Sequence, residues 1–390
     1  MHYIKKCLEP ARILNSMDSM RLKIDAIDHY KAFKAKTASL IELQLTDKCN
    51  LKCPKCHFRD KGDVFLDRKW IGIINKEVRP MAISLAGGGE PTLYPNFNSV
   101  INELKSAELH PQIGLITNGL YIPEGTWIGK LDWLRVSLYT IFDGQYSGRD
   151  SKVREIVLNN IERYMQKDSL NILGVSLLFY KGNAVECVET AFELFKMLTR
   201  TQRSIEKFNL QFKRAFVLMD PKKIDLELHL ENIKDNLEDS EIARAREYCN
   251  SICIKYPDFK VFLNTCSNIE NLFSVKKRDQ AIKTTDPTIS FNRDFEKCYT
   301  SLEHRLITPD GFVYPCPTVA EVRNTNFSIG HITDDDLVFQ NKILYFYNCH
   351  SDFCNKRFCR HDEHNRIVEK YRYGQEIKAY TSEIFNDNFF

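Results

Sequence analysis

Cys49, Cys53 and Cys56 stand within a run of eight residues inside LTDKCNLKCPKCHFRD (45–60), a stretch that holds no fourth cysteine. A closed structural zinc site takes four protein ligands, whereas three thiolates on one tight loop leave a coordination position open. That suits a cubane iron–sulfur cluster with one iron not liganded by protein. A zinc site completed by His57 or by a distant cysteine is the other chemistry open to this spacing. A second group, Cys298, Cys316, Cys349, Cys354 and Cys359, lies in CYTSLEHRLITPDGFVYPCP and CHSDFCNKRFCRH. Five thiols exceed one cluster by one, and Cys349, Cys354, Cys359 and His361 could instead form a zinc knuckle. Cys249, Cys253 and Cys266 could add ligands but read more readily as buried thiols, and Cys7 and Cys187 carry no motif.

The elements that must position these residues follow from apolar patterning. SLIELQL (39–45), MAISLAG (81–87), IGLIT (113–117), LRVSLY (134–139), ILGVSLLF (172–179) and KFNLQFKRAF (207–216) read as strands, several apolar on both faces. Phe97, Val100, Ile101 and Leu104 have helical spacing, as do Val153, Ile156, Val157, Ile161 and Tyr164. Strands alternating with helices predict an α/β fold with a parallel sheet, open or curled into a partial barrel. A further helix is expected around 221–250, and ITPDGFVYP reads as a hairpin with a Pro-Asp-Gly turn.

The 390 residues are 43% hydrophobic and 27% charged, too apolar for a disordered chain. With 55 basic against 52 acidic residues and no basic run, nothing marks a nucleic-acid site. No stretch approaches the ~18 apolar residues of a membrane span and no signal core is present, so a cytoplasmic location is expected, where clustered thiols mean metal or redox chemistry rather than disulfides.

CNLKCPKC directly after a strand, followed at the end of the next strand by LAGGGEPTLYPNF, resembles the radical S-adenosylmethionine (SAM) superfamily. The resemblance covers about 40–215 and 298–361. It implies a partial (β/α)6 TIM-like barrel over 39–220 and a small cysteine-rich auxiliary module over 298–365. An N-terminal extension (1–38), a connecting helical region (221–297) and a tail (366–390) complete the chain. It also implies that the open iron of a [4Fe–4S] cluster on Cys49, Cys53 and Cys56 binds the amino and carboxylate groups of SAM, and that reduction releases a 5′-deoxyadenosyl radical. Gly87, Gly88, Gly89 and Glu90 would meet the methionyl amino group, with Pro91 shaping the turn. Thr117 and Asn118 in LITNGL, Ser137 in RVSLYT, Arg149 in YSGRD and, more loosely, Asn183 fit further SAM contacts. Many members carry an aromatic residue before the third cysteine, and this chain has Lys55, with His57 or Phe58 as substitutes.

The C-x12-G-x4-C spacing of Cys298, Gly311 and Cys316 resembles the SPASM and twitch modules. It implies an auxiliary [4Fe–4S] cluster on Cys298, Cys316, Cys354 and Cys359, with Cys349 as the alternate. The activity expected is hydrogen abstraction from a C–H bond of a carbohydrate- or nucleoside-like small molecule, with electrons from a flavodoxin- or ferredoxin-type partner. Modification of a peptide by the same chemistry is the alternative, disfavoured by the short segment before the first strand. A non-catalytic zinc or iron–sulfur protein is the alternative of another class. Tyr139, Tyr180, Lys181, Lys213 and Arg214 lie near strand ends where a substrate would sit.

Overall fold

A computed structural model describes residues 31–51, 62–138, 151–179, 182–214, 238–273, 295–320 and 325–348, together with 20, 22–29, 53, 56, 365, 368 and 369. Six strands, β1 (Leu40–Leu43), β2 (Ala82–Leu85), β3 (Gln112–Thr117), β4 (Trp133–Ser137), β5 (Ile172–Phe179) and β6 (Phe208–Arg214), lie side by side in chain order, each parallel to the next. All six fall on the apolar runs that predict them.

Register explains why. Leu43, Leu85, Leu115, Leu134, Leu173 and Phe208 are successive partners across the strands and form one fully buried row. This face packs in one core with the apolar sides of α2 (Phe97–Lys105), α3 (Ser151–Met165) and α4 (Ala184–Thr201), while α1 (Lys69–Ile73) runs on as a π-helical turn (Ile74–Val78) between β1 and β2. In α2 the buried residues are Phe97, Val100, Ile101 and Leu104, as the spacing predicts. In α3, Val157, Ile161 and Tyr164 are buried, but Ile156 is 46% exposed and falls outside the apolar stripe.

One helix of the alternation is missing. Between β3 and β4 the chain makes only a 3-10 turn (Trp127–Lys130), and the fully buried Trp127 fills the space a helix would occupy. Its indole N–H donates to the Pro123 carbonyl at 2.9 Å, and its ring meets Phe97 edge-on at 5.2 Å.

The opposite face of the sheet is polar. Strand alternation puts Glu42 and Gln44 of the β1 segment, Arg135 and Ser137 of β4, Ser176 of β5 and Gln211 of β6 on this inner side, corrected from strands read as apolar on both faces. Gly114 leaves room for the Trp133 indole, since a Cβ there would lie 1.9 Å from the ring. The indole carries the Arg135 guanidinium 5.8 Å from its centroid.

Beyond β6, α5 (Asp239–Lys255) opens on a capping box of Glu238 and Glu241, and α6 (Pro257–Cys266) follows. The helix expected around 221–250 is thus present from Asp239, and residues 221–237 lie outside the described residues. The predicted hairpin forms between β7 (His304–Ile307) and β8 (Phe312–Tyr314), with Gly311 at φ 85°, and β9 (Gly330–His331) extends it antiparallel. Strand β7 also pairs in parallel with the free edge of β1, so the C-terminal region continues the core sheet.

A buried polar cluster locks that junction. Lys23 Nζ is 3.1 Å from Glu303 and donates to the Thr37 and Leu302 carbonyls at 2.6 and 2.8 Å. Glu303 also accepts from the Ser39 backbone and hydroxyl, and Asp336 of α7 (Asp336–Asn348) accepts from the Ala35 and Lys36 amides at 3.1 and 2.7 Å. Burial pulls the Lys23 ammonium down to about 8, the Glu303 charge opposing it. Glu303→Ala strands a buried cation and should cost about 3–5 kcal/mol in urea unfolding, whereas Lys23→Met combined with Glu303→Met should recover most of that loss. Because unfolded Lys23 holds its proton up to its ordinary value of 10.5, the unfolded chain binds more protons between pH 8 and 10.5. Wild-type stability should therefore rise over that window relative to Lys23→Met.

Candidate functional site

The three-cysteine loop is an excursion whose base is pinned just beyond β1. Thr46 bridges Phe65 antiparallel, the Asp47 amide donates to the Val64 carbonyl at 2.9 Å, and the Leu66 amide to the Leu45 carbonyl at 2.9 Å. The loop then lies across the glycine run that follows β2. The Gly89 amide donates to the Thr46 carbonyl at 2.7 Å and the Glu90 amide to the Lys48 carbonyl at 2.8 Å. A Cβ at Gly89 would come within 2.0 Å of the Lys48 oxygen, so only glycine permits this approach. Gly87 and Gly88 turn the chain with φ of 77° and 61°. The glycine run thus carries the cysteine loop on its back.

Glu90 ties this seam to the next strand. Its buried carboxylate accepts from the Thr117 hydroxyl at 2.6 Å, the Asn118 amide at 2.8 Å, and the Thr92 hydroxyl and amide at 2.7 and 3.2 Å. Burial raises its pKa above the ordinary carboxyl value, and the four donors work against that rise. The Asn118 side chain then reaches the loop itself, donating to Asn50 Oδ1 at 2.7 Å between the first two cysteines.

Cys49, Cys53 and Cys56 are partly exposed thiols. The Leu51 amide donates to Cys49 Sγ at 3.4 Å, and the Cys56 amide turns back to the Cys53 carbonyl at 3.1 Å. Among the described residues no three Cys, His, Asp or Glu side chains converge as a metal-holding group. Convergence of three thiolates is driven by the metal they bind, because without it they only repel. The donor set of three thiols on one loop, over a glycine cradle at the C-terminal ends of parallel strands, fits a cluster with one open position.

Ser137 is buried at the end of β4, in register with Ser176. Asn183 donates to the Leu178 carbonyl at 3.0 Å and braces the turn into α4. Arg149, Lys55, His57, Phe58, Tyr139, Tyr180, Lys181, His361, Cys349, Cys354 and Cys359 lie outside the described residues. Cys298 and Cys316 flank the β7–β8 hairpin as partly buried thiols. Cys187, Cys249 and Cys266 are buried in the core, with Cys249 pushed up to about 12 by burial and by Cys253 beside it.

Sequence reasoning missed Gln44, Arg135, Ser176 and Gln211. Arg135 donates to Gln211 Oε1 at 3.2 Å, and the Ser176 hydroxyl to the same oxygen at 3.4 Å. Their signal is present in the polar letters of LIELQL, WLRVS, ILGVSLLF and FNLQF, set among apolar leucines, valines and phenylalanines.

No family model matches the chain. It is 30% identical over 117 residues to GTP 3′,8-cyclase of Streptomyces coelicolor, covering 27% of this chain and 34% of that protein. It is 34% identical over 115 residues to a probable GTP 3′,8-cyclase of Methanococcus maripaludis, covering 27% of this chain and 37% of that one. The chain thus matches only about a third of the length of these relatives. Among solved structures, anSMEcpe with bound AdoMet and the Cp18Cys peptide superposes with a TM-score of 0.50 at 18% identity, covering 82% of this chain and 88% of that one. An open six-stranded parallel unit carrying a three-cysteine loop on a glycine run, together with this similarity, supports the resemblance to the radical SAM superfamily. SAM and a [4Fe–4S] cluster are the cofactors that this similarity supports. Among the described residues no helix is long and apolar enough to cross a membrane.

Replacing Gly89 with Ala forces a methyl group into the Lys48 carbonyl and must part the seam. Gly89→Ala should lower the thermal midpoint and, after anaerobic reconstitution, retain less than about half the wild-type iron at the Cys49–Cys56 loop, read by iron and sulfide assay.

Proposed function

We propose that the chain is an enzyme that binds a [4Fe–4S] cluster through Cys49, Cys53 and Cys56 and acts on a C–H bond of a small, hydrogen-bonding molecule of carbohydrate or nucleoside type. When bound, the reduced cluster and SAM supply a hydrogen-abstracting 5′-deoxyadenosyl radical, with methionine as the other fragment and the electron coming from a flavodoxin- or ferredoxin-type donor. The protein's own part is to hold and to exclude. The seam between residues 46–48 and Gly89–Glu90 fixes the cysteine loop over the inner face of the sheet. Asn118 fixes the loop's first turn through Asn50. Below, Trp133 packed against Gly114 closes one end of the inner face and keeps water from the site.

The observation that carries the small-molecule reading is the polar inner face. Arg135, Gln211 and Ser176 are buried and hydrogen-bonded to one another on adjacent strands. A buried cation with amide and hydroxyl groups beside it suits a compact polar substrate more than an apolar side chain of a peptide. A peptide substrate, as in the anSMEcpe complex, remains the second reading, supported by similarity of fold. Cys298 and Cys316, with Cys354 and Cys359 and with Cys349 as the alternate, are proposed to hold an auxiliary [4Fe–4S] cluster. The placement of Cys298 and Cys316 on either side of the hairpin supports this.

Anaerobic reconstitution should give about eight irons per chain, about four in the variant with Cys49, Cys53 and Cys56 changed to Ala, and about four in Cys298→Ala combined with Cys316→Ala. With dithionite and SAM, 5′-deoxyadenosine should form in the wild type and the last variant and not in the first. Zinc in place of iron, or 5′-deoxyadenosine from the triple variant, would overturn the assignment.

A further inference from the structure

Gln44 sits five residues before Cys49, where β1 runs into the cysteine loop, and it is fully buried. Its backbone amide continues the sheet by donating to the Ile307 carbonyl at 2.9 Å. Its side chain does not share in that economy: among the described residues neither Oε1 nor Nε2 has a hydrogen-bond partner. Leaving both ends of an amide unsatisfied in a core is costly, and an apolar side chain of the same shape would avoid the cost. Such a group in a native structure calls for a partner, and at a binding site a ligand can supply it.

Its surroundings say which ligand. A Cβ at Gly88 would lie 3.1 Å from Gln44 Oε1 and 3.0 Å from an Asp47 carboxylate oxygen. With no side chain at Gly88, the buried amide lies directly against the glycine run, with a carboxylate alongside. An amide offers a donor and an acceptor about 2 Å apart, the complement of an ammonium next to a carboxylate. We propose that the Gln44 side-chain amide binds the zwitterionic amino-acid end of SAM, an inference that rests on the assignment of the cluster to the Cys49–Cys56 loop. On this reading Gln44 trades stability of the empty protein for affinity, and its two idle hydrogen bonds are made only when the cofactor is seated.

The trade sets two measurements against each other. Gln44→Met keeps shape and volume while removing both polar atoms. In the cluster-free full chain its thermal midpoint should equal or exceed that of wild type. After anaerobic reconstitution to the same iron content, its Kd for SAM by equilibrium dialysis should rise about tenfold or more. Gln44→Leu provides the same comparison if the Met variant does not fold. An unchanged Kd at equal iron would overturn the inference while leaving the cluster assignment intact, and so would a weakened Kd accompanied by lost iron and a lower midpoint, the mark of a merely structural residue. A reconstituted wild type that does not bind SAM would instead overturn the functional reading beneath it.

Discussion

The site depends on one backbone seam, in which the amides of Gly89 and Glu90 meet the carbonyls of Thr46 and Lys48. Side chains cannot make this contact because there is no room for one at Gly89. Two loops leaving adjacent parallel strands would otherwise be independent and poorly ordered. Joined by two short hydrogen bonds, they become a single platform at the mouth of the sheet. Glu90 then extends the platform to a third strand, each carboxylate oxygen taken by donors from Thr92, Thr117 or Asn118. A carboxylate buried at this depth is tolerable only because four donors surround it.

How much of this is legible in sequence depends on whether the signal is local. The six strands are legible because buried parallel strands are short apolar runs, and α2 because its four apolar residues keep helical spacing. The missing helix between β3 and β4 is not, since Trp127 replaces it through contacts with Phe97 and Tyr164 that no spacing rule encodes. Ile156 fits the period of α3 and still faces out, because a periodic stripe can be wider than the surface it covers. The glycine run is legible as a place of close approach, but what approaches on one side is the cysteine loop, a partner some forty residues upstream in the chain.

The polar inner face shows the same division. Glu42, Gln44, Arg135, Ser137, Ser176 and Gln211 each look like a stray polar letter in an apolar run, and only strand register reveals that they share a side. The sheet is two materials back to back: a leucine-rich face that supplies cohesion and a face whose buried polar groups hydrogen-bond to one another. Polar groups can be buried on the second because the first provides the stability to hold them.

The pairing of β1 with β7 carries a consequence for how the chain is made. Among the described strands β1 is the first in chain order and the root of the cysteine loop, yet one of its edges is covered only when residues 304–307 arrive. The buried contacts that hold that junction, Ser39 with Glu303 and Lys23 with Leu302, span 264 and 279 residues. Until then β1 presents an open row of backbone donors and acceptors beside a loop of three thiols, the kind of edge that pairs with neighbouring chains. The loop closure needed to cover it spans more than 260 residues, which makes the covering of this edge a costly, non-local step in folding.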